Sequence, residues 1–200
     1  MSKQLADGRR LILASTSPFR RDLLTRLGLP FETRAPDTDE SRLPGEDAIA
    51  LVARLAESKA RAVARHEPGA LIIGSDQVAV LGDDILGKPG THDRAVEQLS
   101  RAAGHTVTFQ TGLCLLDSDS DRIQLDTVPF QVVFRQLQPH QIEAYLRREQ
   151  PYQCAGSFKA EGLGIALFER LCGDDPNSLI GLPLIRLVRM LENEGVAVLG

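Results

Sequence analysis

The sequence predicts an α/β fold: a mixed, twisted sheet with flanking helices, arranged as two lobes around a cleft. Three observations carry that reading. Strand-like and helix-like segments alternate along the chain, as they do when helices cover a sheet. Two long strand patterns flank the turn-rich run Asp117-Ser-Asp-Ser-Asp121 and must pair antiparallel, which makes the strand directions mixed. The length of 200 residues suffices for one large domain or two small lobes around a cleft.

Leu11–Ala14 reads as a short apolar strand. Ser15-Thr-Ser17 follows, then Pro18 at a first helical position, and a helix over Pro18–Leu29 ended by Gly28 and Pro30. Phe31–Ala35 is a short strand and Pro36-Asp-Thr-Asp39-Glu40 an acidic loop. Glu46–Arg65 is an amphipathic helix with Ile49, Val52, Ala56 and Val63 on one stripe. Leu71–Leu81 is a strand with a polar centre, closed by the turn Gly82-Asp83-Asp84. A helix over Asp93–Ala103 precedes a hairpin of Thr106–Leu116 and Ile123–Arg135. Pro139–Glu149 is helical, Gln153–Gly164 is a polar glycine-bearing segment, and Pro183–Glu194 is a closing helix. No repeat or low-complexity linker divides the chain, so a single domain over residues 1–200 is expected.

Composition excludes several classes. A net charge of −4 gives no global basic field for nucleic acid, and with 4% aromatics and no Trp there is no base-stacking platform. No apolar run approaches the ~18 residues that span a membrane. Cys114, Cys154 and Cys172 lack metal-ligand spacing and follow no signal peptide, so a reducing, cytoplasmic location is expected. The four histidines are scattered, and neither a Walker A pattern nor GxSxG occurs.

Two segments ask for chemistry. The first is the strand, hydroxyl turn and helix start from Leu11 to Leu24. A helix N-terminus offers free N–H groups and partial positive charge, so it suits an anion. Arg20 precedes Leu23, Leu24 and Leu27 by three, four and seven residues and so shares their inward face. There it meets a phosphate, pairs with a protein carboxylate, or lies at the open helix end. The second segment is Gly74-Ser-Asp76-Gln77. Asp76 shares a strand face with Ile72, Gly74, Val78 and Val80, a placement suited to a general base or metal ligand. The alternative is an Asp accepting backbone N–H bonds at a sheet irregularity near Gly74. Lys59 lies on the apolar stripe of its helix and can reach a phosphate or extend to solvent. Lys88, in Gly87-Lys-Pro89, is either a phosphate cation or part of a plain turn. Asp39, Glu40 and Glu161 are acids on loops. Two lysines, a basic hydroxyl-lined helix start and several carboxylates fit a Mg²⁺-polyphosphate substrate.

The motifs Leu13-Ala-Ser-Thr-Ser-Pro-Phe-Arg-Arg21, Pro36-Asp-Thr-Asp-Glu40, Gly74-Ser-Asp-Gln-Val78, Gly87-Lys-Pro89, Cys154-Ala-Gly-Ser-Phe-Lys-Ala-Glu-Gly162 and Asp175-Pro-Asn-Ser-Leu-Ile-Gly-Leu-Pro183 stand in this order. Together they resemble the Maf family of nucleotide pyrophosphatases, from Leu11 to about Leu191. The resemblance implies a Maf/inosine-triphosphatase-like fold and a homodimer. It also implies hydrolysis of a nucleoside triphosphate to the monophosphate and pyrophosphate with a divalent cation, Mg²⁺ or Mn²⁺. It places Asp76, Lys88 and Glu40 in catalysis, with Glu40 and Asp76 also holding the metal. Ser17, Arg20, Lys59, Phe19, Gln77 and Glu161 then face the substrate. Where the commoner family motif is Ser-Pro-Arg-Arg, Phe19 stands at the first arginine and Arg20 at the second. An aromatic there, with Gln77 and Glu161, resembles the branch acting on 7-methylguanosine triphosphate, a house-cleaning activity on modified nucleotides. A methylated guanine is cationic, so an aromatic face and a carboxylate favour it. The other readings are a dTTP or UTP pyrophosphatase of the same family and a non-hydrolysing, nucleotide-binding division regulator. Asp76, Lys59, Lys88 and Glu40 argue against the last.

Overall fold

The opening apolar run forms β1 (Arg10–Ala14), buried from Leu11 to Ala14. In the computed structural model, which describes residues 4–199, β1 runs parallel to both neighbours, β2 (Glu32–Arg34) and β3 (Ala70–Leu81). Residues 1–3 and 200 of the expected single unit lie outside the described residues. Beyond β3 every pairing is antiparallel. Short β4 (Asp84–Leu86) folds back on the end of β3, while β5 (Thr106–Asp117), β6 (Ile123–Phe134) and β7 (Phe168–Cys172) continue the sheet. The order is β2-β1-β3-β5-β6-β7, with β4 off the path on β3. The expected mixed sheet with flanking helices is therefore what forms.

Helices cover both faces. On one face α1 (Pro18–Thr25) and α6 (Leu184–Asn193) bury Leu23, Leu24, Leu187 and Leu191 against Leu11, Leu13, Leu71 and Ile73. On the other, α2 (Ala48–Ala64) buries Ala56, Ala60 and Val63 against Ile12, Ile72 and Cys114. A separate core forms around the far ends of β3, β5 and β6, where α3 (His92–Ala102) and α4 (Pro139–Glu149) meet Phe109, Phe134 and Phe158. Among the described residues, no helix is long and apolar enough to cross a membrane.

Several elements differ from expectation. The first helix stops at Thr25, short of Leu29, because Gly28 already takes a left-handed φ of 67°. Ile49 is exposed rather than on the buried stripe of α2. Burial there begins at Leu51 and Val52, where the helix backbone first lies against β5 at Gly112. β4, β7 and the short α5 (Pro176–Ile180) are elements that the sequence pattern does not announce. The three- and five-residue lengths of these elements leave too little periodicity to read.

Candidate active site

The alternation of β3 divides its side chains between the two covered faces. Ile72 packs in the α2 core and Ile73 in the α1/α6 core, so Asp76 falls on the α2 side and Ser75 on the other. Gly74 and Gly112 bring α2 onto the sheet. A Cβ at Gly74 would lie 2.0 Å from the Ala56 carbonyl oxygen, and one at Gly112 would lie 2.1 Å from that of Val52. Close approach of the helix backbone explains both glycines. It also sets Lys59, one turn beyond Ala56, over Asp76, two residues beyond Gly74. Lys59 is buried, and its Nζ donates to Asp76 Oδ1 at 2.6 Å. The β3–β5 ladder runs unbroken from Leu71 to Leu81, so Asp76 marks no sheet irregularity. Lys59 does not extend to solvent either.

A second carboxylate reaches the same ammonium. Glu40 Oε1 lies 2.7 Å from Lys59 Nζ, and this hydrogen bond holds the Glu40 carboxyl below its usual range against the opposing effect of burial. Lys88 and Arg20 add to that depression through space. The loop bearing Glu40 is tied to α2 by Arg54, which donates to the Ser41 carbonyl and pairs with Glu46 at 2.6 Å. Chiefly through Arg54, the Glu46 carboxyl is lowered from 4.5 to about 2. A carboxyl with a depressed folded pKa contributes stability that is complete above the unfolded pKa and is lost as pH falls through the folded one. Urea unfolding at about pH 6 and about pH 3 therefore shows a smaller acid loss of stability for Glu46→Gln than for the wild type. Equal losses would detach this pair from the acid response.

On the opposite side of the cleft, Ser17 caps α1 and Pro18 takes the first helical position, as the sequence suggested. The Ser17 hydroxyl accepts from Arg20 N at 3.4 Å, and Ser17 N donates to Ser15 Oγ at 3.1 Å. Arg20 is half-buried and makes no close ion pair among the described residues; its Nε donates to the Gly181 carbonyl at 2.8 Å. Burial lowers its pKa, while Asp76 and then Glu40 oppose the shift. Arg21 is exposed and lies beside Asp22.

Ser17, Phe19, Arg20, Glu40, Lys59, Asp76, Gln77, Lys88 and Glu161 all line one cleft of about 620 Å³. Lys88 and Glu161 are exposed at its margins, and Phe19 is half-buried. Gln77 lies at the wall, with its amide group donating to Thr111 Oγ1 at 2.9 Å and to the Ser178 carbonyl at 2.6 Å. Ser75, Thr111 and Asp175, to which strand and helix periods assign no function, are all buried beneath this wall. Asp175 caps α5 and accepts from Asn177 N and Ile185 N. The quoted Asp-Pro-Asn-Ser motif was its only signal.

Glu40 and Asp76 offer hard oxygen ligands of the kind Mg²⁺ and Mn²⁺ prefer. Among the described residues no group of three or more His, Cys, Asp or Glu could hold a metal alone. Two carboxylates fit an ion that completes its shell with phosphate oxygens and water, as Mg²⁺ commonly does.

A family model described as Maf-like protein matches residues 10–194. Proteins named 7-methyl-GTP pyrophosphatase are similar to this chain over most of their length. That of Nitrosococcus oceani is 62% identical, covering 94% of this chain and 95% of its own. That of Pseudomonas aeruginosa is 60% identical, covering 94% and 98%.

Proposed function

Because the chain belongs to the Maf family, we propose that it hydrolyses 7-methylguanosine triphosphate to the monophosphate and pyrophosphate. The observation that carries this reading is one cleft lined by the Asp76 carboxylate together with Arg20, Lys59 and Lys88, in a chain about 60% identical to proteins of that named activity. Asp76 takes a proton from the attacking water. A new P–O bond forms as the bridging P–O bond breaks, and pyrophosphate leaves with the electron pair. Ser17 and the α1 N-terminus seat phosphate oxygens. Arg20, Lys59 and Lys88 offset the charge that develops on the leaving group. Lys59 starts between Asp76 and Glu40, so it holds both carboxylates at the reaction centre. Glu40 and Asp76 would hold Mg²⁺ or Mn²⁺, which when bound neutralises charge on the phosphate oxygens. Phe19 and Glu161, at the cleft wall and margin, suit a cationic methylated base.

Pyrophosphate release from a panel of triphosphates with Mg²⁺ or Mn²⁺ tests this. 7-Methylguanosine triphosphate should be turned over with a higher kcat/KM than GTP, dTTP or UTP. Better turnover of UTP would assign the chain to the pyrimidine branch, and no release from any triphosphate would favour a binding regulator. A cytoplasmic homodimer completes the proposal. The three free cysteines are in keeping with a reducing compartment, and sedimentation at working concentration reads the dimer.

A further inference from the structure

Arg20 reaches the cleft under the control of a backbone carbonyl. Gly181 O accepts from Arg20 Nε at 2.8 Å and from the fully buried Ser75 Oγ at 2.9 Å. Gly181 has φ 117°, a conformation that favours glycine, and the Arg20 guanidinium lies against it: a Cβ there would meet Nε at 3.4 Å. Gly181 caps the C-terminus of α5, and that short helix is fixed again at Ser178. Ser178 O accepts from Thr111 Oγ1 at 2.9 Å and from Gln77 Nε2 at 2.6 Å. Neighbouring β3 residues thus serve both sides of the site. Asp76 carries the carboxylate on one face, and Ser75 reaches the carbonyl that directs the arginine on the other.

We propose that Ser75 is a positioning residue, which through the shared Gly181 carbonyl aims the terminal Nη groups of Arg20 at the pyrophosphate portion of the substrate. With Nε committed to Gly181, the two Nη groups are left to make the paired contact a phosphate accepts. A carbonyl held by Ser75 cannot swing with the arginine, so the guanidinium is fixed before substrate arrives. Losing that restraint costs binding to the phosphates without removing the charge.

This rests on the reading that the cleft takes a nucleoside triphosphate, so the test separates binding from turnover. Calorimetry measures the affinity of inorganic pyrophosphate and of 7-methylguanosine monophosphate for wild type, Ser75→Ala, Arg20→Ala and the double variant, with Tm followed for each. Ser75→Ala should weaken pyrophosphate binding about 5–10-fold, as expected for one hydrogen bond supporting a charged contact, and leave monophosphate binding unchanged. In the Arg20→Ala background the same change should have no further effect on pyrophosphate, because the group it positions is gone. Additive losses, or a parallel loss of monophosphate affinity, would overturn the proposal. So would a wild type that fails to bind pyrophosphate. A wild type that binds pyrophosphate and shows the coupling, yet hydrolyses no triphosphate, would overturn the proposed function and leave the positioning role standing.

Discussion

Replacing Asp76 with Asn lowers kcat by about 10²-fold or more and changes KM only a few-fold. The substitution keeps the shape of the side chain and the β3–β5 ladder around it, so the phosphate contacts proposed for Ser17, Arg20 and Lys88 survive. What it removes is the negative charge facing Lys59 and the lone pair that accepts a proton. Lys59 keeps one carboxylate, Glu40, and so does not become an unpaired buried cation. The loss therefore falls on the transition state more than on substrate binding, which is the pattern of an interaction made only as reaction proceeds. Steady-state kinetics by pyrophosphate release measure it. A variant with near wild-type kcat would remove Asp76 from the chemistry.

The pairing of Asp76 with Lys59 also shows what the sequence could and could not tell. Strand alternation placed Asp76 on the face of Ile72 and Gly74, and helix phase placed Lys59 on a buried stripe. Both follow from local periods of 2 and 3.6 residues. That these two faces are the same interface depends on which side of the sheet α2 crosses, a long-range fact that no local period contains. The same limit applies to Arg20. Helix phase pointed it inward, but its partner is a carbonyl 161 residues away. Gln77, expected to face the substrate, lines the cleft, and its amide hydrogens also hold α5 at Ser178, a contact that strand alternation cannot give because it specifies a face and not the neighbour beyond it. Ile49 matched the stripe by phase and lies exposed, since periodicity does not say where the sheet beneath a helix ends. The motif order, by contrast, foretold the family and the members of the cleft without any of this geometry.

The close seating of α2 leads to the second large effect: Gly74→Ala should lower both stability and turnover. At 2.0 Å from the Ala56 carbonyl oxygen and 2.9 Å from Ala60 N, the added methyl would meet helix backbone, not a side chain able to rotate away. The helix must lift or tilt. Overpacking of this kind typically costs about 1–3 kcal/mol, read as a fall in the urea midpoint. Lifting α2 also draws Lys59 from Asp76, since that 2.6 Å contact lies one turn beyond the clash. A shift of about 1 Å at a reacting group can cost about 10²-fold in rate, so kcat should fall further than the loss of folded protein explains. Gly87→Ala provides the contrast. It lies on the same cleft beside Lys88, but a Cβ there meets nothing within 4 Å and its φ is one other residues adopt. Its urea midpoint should stay close to the wild type. If Gly74→Ala kept the wild-type midpoint and kcat, the contact between α2 and β3 would not be what holds Lys59 on Asp76.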